Sequence, residues 1–348
     1  MNKRISKLTE KYADRAILVT DPKDIFYLTE AGFDGFWLLL YKKNIFTITS
    51  KMIEGQVKEH FGNAVKIKIA SSFTEGLTEI CRKYKIKDVC IDVSNTNVLV
   101  FDAVIKKLFN NNVSVSKING LTADLRIIKS KEEIKNIKTA CEIVSDIFDK
   151  VKTQIEPGMT ETEIYFKIEE EFSKSRTSAS FKTIVASGQH SSNPHHASGN
   201  RKILRNDIVL IDMGCVYKGY CSDLTRIVFL GKISDNSEKM WSLVKQAHDI
   251  SLAAVKAGIK CSAVDSAARD VITKAGFGDK FIHGTGHGVG LNIHEFPSVS
   301  QNSKEILQEN MIITIEPGVY FPGKFGIRLE DTVLVTKKGC KVLTNTKI

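Results

Sequence analysis

The chain has 348 residues, 42% hydrophobic and 26% charged, the composition of a soluble globular protein with room for two domains. Its net charge of +10 is spread over dispersed lysines, as at Lys42–Lys43, Lys106–Lys107 and Lys337–Lys338, so no nucleic-acid partner is expected. The opening MNKRISKLTEKYADR lacks the apolar core of a signal peptide, and the run Phe36–Tyr41 is too short to span a bilayer; the expected location is cytoplasmic, without membrane attachment.

Residues 1–125 alternate β-rich runs with amphipathic stretches. The runs are AILVT (16–20), FWLLLY and IFTIT (36–49), VKIKIA (65–70), VCIDV (89–93) and VSVSKI (113–118). Stretches 51–61, 73–85 and 98–110 carry apolar residues at helical spacing. This alternation predicts a small α/β domain. Asp21-Pro22 reads as a turn, and Asp88 and Asp92 as surface acids.

A boundary is expected near residues 124–130. The stretch LRIIKSKEEIKNIKTACEIVSDIFDKV then reads as one long helix, with a capping box from Ser130 and Glu133 and an apolar stripe of Ile134, Ile137, Cys141 and Val144. An internal repeat follows. Residues 156–172 resemble residues 256–272, Pro157-Gly158 matching Ala257-Gly258, and Thr160 with Glu163 forms a second capping box. Each half continues into a connecting segment and an acidic hairpin. A pseudo-twofold relation would bring the two hairpins to one central site.

The first hairpin is DIVLIDMGCVYKGYCSDLTRIVFL (207–230). A turn at Tyr217–Lys218 sets Asp212 directly opposite Asp223, about 5 Å apart at Cβ. In the second hairpin, MIITIEPGVYF and GIRLEDTVLV, a turn centred on Gly323 sets Glu316 opposite Glu330. Facing carboxylates in apolar strands repel one another and lose hydration unless a cation lies between them. Taken alone, such pairs also read as solvent-facing acids on an edge strand. Between the hairpins lies HGTGHGVGLNIHE (283–295), which adds three histidines in a glycine-rich run. Two acidic pairs and a histidine cluster make a ligand set for hard or borderline divalent cations. Two adjacent ions sharing carboxylates would neutralise all four acids.

The glycines do not form a nucleotide loop, since Val289 breaks G-x-G-x-x-G. Close backbone approach to metals and substrate is the expected reason for them. The seven cysteines contain no C-x-x-C and read as free thiols. Strand alternation turns Cys215 away from Asp212, while Cys221 shares the face of Asp223 nearer the turn.

The order Asp212, Asp223, His287, Glu316, Glu330 resembles the five-ligand set of the M24 metallopeptidases, whose catalytic domain has the pita-bread fold. The 283–295 segment resembles the signature of the Xaa-Pro branch, prolidase and aminopeptidase P, as do SNPHHASGNRKILRNDIVLIDMG, TIEPG and RLEDT. The likeness covers residues 126–348 strongly, and residues 1–125 are similar in kind to the creatinase-like domain that precedes it. The resemblance thus implies an α/β two-domain protein: a creatinase-like α/β domain at 1–125, then a pita-bread α+β catalytic domain at 126–348 with a pseudo-twofold repeat.

The implied activity is hydrolysis of Xaa-Pro bonds by water activated between two divalent ions, of manganese, cobalt or zinc. The implied substrates are peptides with proline at P1′, and a homodimer is expected. Prolidase and aminopeptidase P remain open, and a non-catalytic binding protein on the same fold is the alternative. By the resemblance, Asp212 serves one metal, His287 the other, and Asp223 and Glu330 bridge. Glu316 is a ligand that also takes a proton. His294 stabilises the oxyanion or the scissile nitrogen, or is a structural histidine. His195 resembles the substrate-contacting histidine before the first hairpin. His283 lines the proline pocket or orients the loop. Arg328 pairs with a ligand carboxylate or with the substrate's C-terminus. His196 reads as solvent-facing, and His60, His190 and His248 as surface residues.

Overall fold

The computed structural model describes residues 3–12, 15–232 and 234–346. The chain divides into two compact units, Met1–Leu125 and Arg126–Ile348.

In the first unit six strands form one sheet: β1 (Ala16–Val19), β2 (Phe36–Tyr41), β3 (Asn44–Thr49), β4 (Lys66–Ile69), β5 (Asp88–Asp92) and β6 (Ser114–Ile118). Their order is β4-β3-β2-β1-β5-β6. The pairs β3–β4, β1–β5 and β5–β6 are parallel, and β1–β2 and β2–β3 antiparallel. Leu38, Leu39 and Leu40 are all fully buried, so this run of β2 is covered on both faces and shows no alternation. The helices are α1 (Lys3–Lys11), α2 (Pro22–Thr29), α3 (Glu54–Phe61), α4 (Phe73–Tyr84) and α5 (Val98–Phe109).

Two readings need correction here. Asp21-Pro22 starts a helix rather than a turn: Asp21 accepts from the Asp24 amide at 2.9 Å, and Pro22 takes the first helical position, where its missing N–H costs nothing. Asp92 is buried, not a surface acid, and accepts from the amides of Ser94, Gly120 and Leu121.

The long helix expected across the boundary is two. A short α6 (Ala123–Ile127) precedes α7 (Lys131–Lys152), because Ser130 is extended (φ −69°, ψ 167°) and caps α7 through the expected box with Glu133. The repeat is visible as α8 (Glu161–Lys174) and α10 (Cys261–Lys274). Gly158 and Gly258 both adopt positive φ, 99° and 90°, and their amides donate to Ile203 and Leu307 respectively, each at 2.8 Å.

The remaining elements are β7 (Ser178–Ala179), β8 (Ile184–Ser187), β9 (Ile208–Met213), β10 (Cys215–Tyr217), β11 (Tyr220–Cys221), β12 (Leu224–Phe229), α9 (Asp235–Ala254), β13 (Gly286–Gly288), β14 (Glu295–Val299), β15 (Ile312–Ile315), β16 (Gly318–Phe321), β17 (Phe325–Arg328), β18 (Asp331–Val335) and β19 (Cys340–Val342). Sheets run β12-β9-β8, β11-β10-β7, β14-β13-β15-β18-β19 and β16-β17.

Period-two alternation sorts core from site. Val209, Ile211 and Met213 of β9 pack with Val144 and Phe148 of α7 and Ile164 and Phe172 of α8. In the second half Ile313, Ile315, Val333 and Val335 pack with Val264 of α10. Each such side chain stabilises the fold by roughly 1.5–3 kcal/mol. A one-residue slip would put the carboxylates in the core, so the register is strongly specified.

The first hairpin's register differs from the expected one. Asp212 stands opposite Thr225, and Tyr217 opposite Tyr220. The turn is therefore Lys218-Gly219, both at positive φ (48° and 82°), one residue later than expected. Asp223 is a diagonal neighbour of Asp212 on the same face. The second hairpin keeps its expected register. Gly318↔Arg328 to Phe321↔Phe325 and Ile312↔Leu334 to Ile315↔Asp331 are in step, with Glu316 opposite Glu330 between them. There the ladder parts, and Glu330 instead bridges Thr225 of the first hairpin.

Candidate metal centre

The Thr225–Glu330 bridge brings the two acidic hairpins together. The Glu330 amide donates to the Thr225 carbonyl at 3.2 Å, and Thr225 Oγ1 donates to Glu330 Oε2 at 2.6 Å. Arg328 reaches across the same seam. Its guanidinium donates to Asp212 Oδ2 (2.5 Å), Thr225 Oγ1 (3.1 Å) and the Tyr320 hydroxyl (2.8 Å). One oxygen of each acid is thus held. The others, Asp212 Oδ1 and Glu330 Oε1, are buried without a hydrogen-bond partner among the described residues.

Asp223 and Glu330 are almost fully buried, at 4% and 2% exposure. Burial pushes both carboxyls well above the usual range, and neighbouring carboxylates push them further. Glu316 is raised too, chiefly by burial, and its Oε1 lies 3.2 Å from Thr314 Oγ1. Such a group of acids is unfavourable in ionised form without a counter-cation.

His287 supplies the imidazole. Its Nδ1 lies 3.1 Å from the Gly288 carbonyl, which can only accept, so Nδ1 carries the proton. Nε2 is left with its lone pair toward Asp223 Oδ2 (3.6 Å) and Glu316 Oε1 (3.4 Å). Burial lowers its pKa, which favours the neutral form that a metal ligand requires. Ligand atoms of Asp223, His287 and Glu330 all lie within 4.8 Å of one another. Orphaned buried oxygens, compressed acids and a neutral imidazole with its second nitrogen fixed together fit divalent cations.

These residues line a cavity of about 710 Å³. His294, His195 and His283 line it too. His294 is exposed, with its ring centroid 4.3 Å from that of His287. Strand alternation does not decide its face, because the β13–β14 register shifts between His287 and Gly288. His195 is exposed on the loop after β8. His283 donates from Nδ1 to the Gly284 carbonyl (2.8 Å) and accepts the Tyr320 hydroxyl at Nε2 (2.9 Å). Burial pushes Tyr320 up to about 12, so that hydroxyl keeps its proton.

Two glycines of 283–295 make room for neighbouring strands, and Gly284 and Gly286 also line the cavity. A side chain at Gly286 would strike the Thr314 carbonyl at 2.0 Å, and one at Gly288 the Phe296 carbonyl at 2.2 Å. Three further histidines depart from the sequence reading. His248 is fully buried, with Nε2 3.1 Å from Asp331 Oδ2. His190 and His196 both lie against the buried Glu161. Asp331 also pairs with Arg226 at 2.6 Å, and Arg226 donates to the Glu330 carbonyl, so His248 and Arg226 support the strand that carries Glu330. His248 sits on the apolar stripe of α9 with Val244, Ala247 and Ser251, a signal present in the sequence.

The model of metallopeptidase family M24 matches residues 135–337, and that of the creatinase/prolidase N-terminal domain matches residues 2–128. The chain belongs to the M24 metallopeptidase family. It has the two-domain α/β architecture of that family, and divalent metal ions are its cofactor class. It is 33% identical to an Xaa-Pro dipeptidase of Pyrococcus horikoshii over 100% of this chain and 98% of that one. Among solved structures it resembles an Xaa-Pro dipeptidase from Bacillus anthracis (TM-score 0.94, 30% identity, 99% and 98% covered). It also resembles an X-Pro aminopeptidase from Thermotoga maritima (TM-score 0.90, 30% identity, 98% of each chain). Among the described residues no helix is long and apolar enough to cross a membrane.

Proposed function

We propose that this M24 member is a metal-dependent peptidase that hydrolyses Xaa-Pro bonds. The observation that carries the reading is the pair of orphaned buried oxygens, Asp212 Oδ1 and Glu330 Oε1, beside Asp223, Glu316 and the free lone pair of His287. The names of the relatives supply the bond type. Asp212, Asp223, His287, Glu316 and Glu330 would hold the two divalent ions. Bound divalent ions supply Lewis acidity, which makes water a stronger acid near neutral pH and polarises a carbonyl.

The chain's own groups do the rest. Glu316, raised by burial and steadied by Thr314, takes a proton from the attacking water. His294 and His195, on the cavity wall, donate to the oxyanion and to the substrate backbone. His283 is held by Tyr320 and Gly284 and lines the proline pocket. Arg328 is committed to Asp212, Thr225 and Tyr320, which favours its ligand-pairing role over capture of the substrate's C-terminus.

On this reading residues 1–125 form the creatinase-like domain and 126–348 the catalytic domain. The protein is a cytoplasmic homodimer whose ions are manganese, cobalt or zinc. Assaying Xaa-Pro and Xaa-Pro-Xaa peptides with each metal added back tests the activity and separates dipeptidase from aminopeptidase. A protein with two bound ions that cleaves neither would favour a non-catalytic binding role.

A further inference from the structure

Outside the five-residue centre, a second group of metal-ligating side chains converges. Glu161, the first residue of α8, has a fully buried side chain. His190 Nδ1 lies 3.0 and 3.2 Å from its two oxygens, and His196 Nε2 lies 2.8 Å from Oε2. The two rings are 4.4 Å apart. Nothing in the proposed hydrolysis uses these three groups. We propose that Glu161, His190 and His196 form a separate site for one borderline divalent cation, zinc above all.

Two imidazoles and a carboxylate are the donor set that borderline ions take, where magnesium and calcium want oxygen alone. In a tetrahedral site, bonds of about 2.1 Å hold their donor atoms about 3.4 Å apart. The observed separations of 2.8–3.2 Å are those of hydrogen bonds, which open by roughly a few tenths of an ångström to admit an ion. All three donors fall within 4.8 Å of one another.

The carboxylate is also pre-oriented. Glu161 accepts from the Ser187 amide (2.8 Å), the Ser187 hydroxyl (2.7 Å) and the Gly199 amide (3.1 Å). Hydrogen bonds of this kind fix a ligating carboxylate in place. The nearby guanidinium of Arg201 is paired with Asp207 at 2.6 Å, so its charge is offset. The imidazole side chains are 32% and 15% exposed, which leaves an entry path for an ion and room for water as further ligands.

The position gives the site a consequence. His190 and His196 flank His195, and His195 and His196 both line the catalytic cavity. A cation held here ties both sides of that loop to α8.

Equilibrium dialysis of the full chain against zinc at pH 7.5, with metal analysis, tests the site. Wild type is expected to hold one ion more than His190→Asn. Asp223→Ala should keep the extra ion while losing metal from the five-residue centre, so the outcome does not depend on peptidase activity. Equal stoichiometry in wild type and a folded His190→Asn overturns the proposal. Should His190→Asn fail to fold, anomalous scattering at the zinc edge from wild-type crystals decides. A peak among Glu161, His190 and His196 supports the site, and zinc confined to the five-residue centre overturns it.

Discussion

In the first half of the catalytic unit a buried acid, Glu161 on α8, grips Ser187 through its amide and hydroxyl, and its remaining partners are the Gly199 amide and two histidines. In the second half Asp265 on α10 grips Thr285 in the same way, through amide (3.1 Å) and hydroxyl (2.9 Å). Its counter-charge is Arg269, bound to both carboxylate oxygens at 2.8 and 3.0 Å. Arg269 also donates to the carbonyls of Phe281 and His283, and so pins the entry to the histidine run. A guanidinium keeps its charge at every working pH, whereas imidazoles exchange protons or accept an ion. The run that leads to His287 and His294 is therefore anchored at its start by a fixed charge. The loop of His195 is held by groups that respond to their surroundings.

The sharpest break comes where the halves share ligands. Asp223→Ala and Glu330→Ala should each lose at least one ion and nearly all hydrolysis, because on the proposed reading each carboxylate would serve both ions. Two ions and retained activity in either variant, by metal analysis and peptide assay, would remove that residue from the ligand set.

Next in size is His294→Ala. It should keep both ions and the fold while kcat drops by about 10²–10³, the usual effect of losing one transition-state hydrogen bond. A fall in metal content parallel to the fall in rate would make His294 a ligand or its support.

The fixed-charge half should then prove the more costly to unpair. Arg269→Met leaves Asp265 buried without its cation and should destabilise the unit by about 3–5 kcal/mol in denaturant titration. Glu161→Gln keeps part of its hydrogen bonding and should cost about 1–3 kcal/mol. The reverse order would mean that the histidine-held loop is the stiffer one.

The smallest effect is the pH dependence. Burial raises Asp223, Glu316 and Glu330 in the metal-free protein. The folded state then binds more protons than the unfolded one above the ordinary carboxylate pKa, so stability falls as pH rises. Chelated protein should melt higher at pH 5 than at pH 7, and metal-loaded protein should not. Glu161 and Asp331 act oppositely. Burial raises each, but hydrogen bonds and charge from His196 and Ser187, or from His248 and Arg226, outweigh it and hold them low. Their stabilisation is present above the ordinary carboxylate pKa and is lost as pH falls through their folded values. Calorimetry with and without chelator separates the two groups; a flat or falling Tm on acidifying the chelated protein from pH 7 to pH 5 would contradict the first.

The second hairpin was legible in the sequence because Gly323 marks its turn unambiguously, at φ 71°. The first was misplaced because Lys218 joins Gly219 at positive φ, which few lysines do. The error moved the pairing by two, which preserves parity, so Asp212 and Asp223 still share a face. The Glu161 cluster was not legible. His190 lies 29 residues from Glu161 and His196 lies 35, and no local pattern joins loop histidines to a helix start so far away.

The Thr225–Glu330 bridge makes the centre a test of assembly. On the proposed ligand set neither hairpin alone would suffice, so ions would gather there only in a chain whose halves have already met. Metal retention then reports on the seam: an opening too small to change secondary structure would be seen first as ions leaking into a chelator.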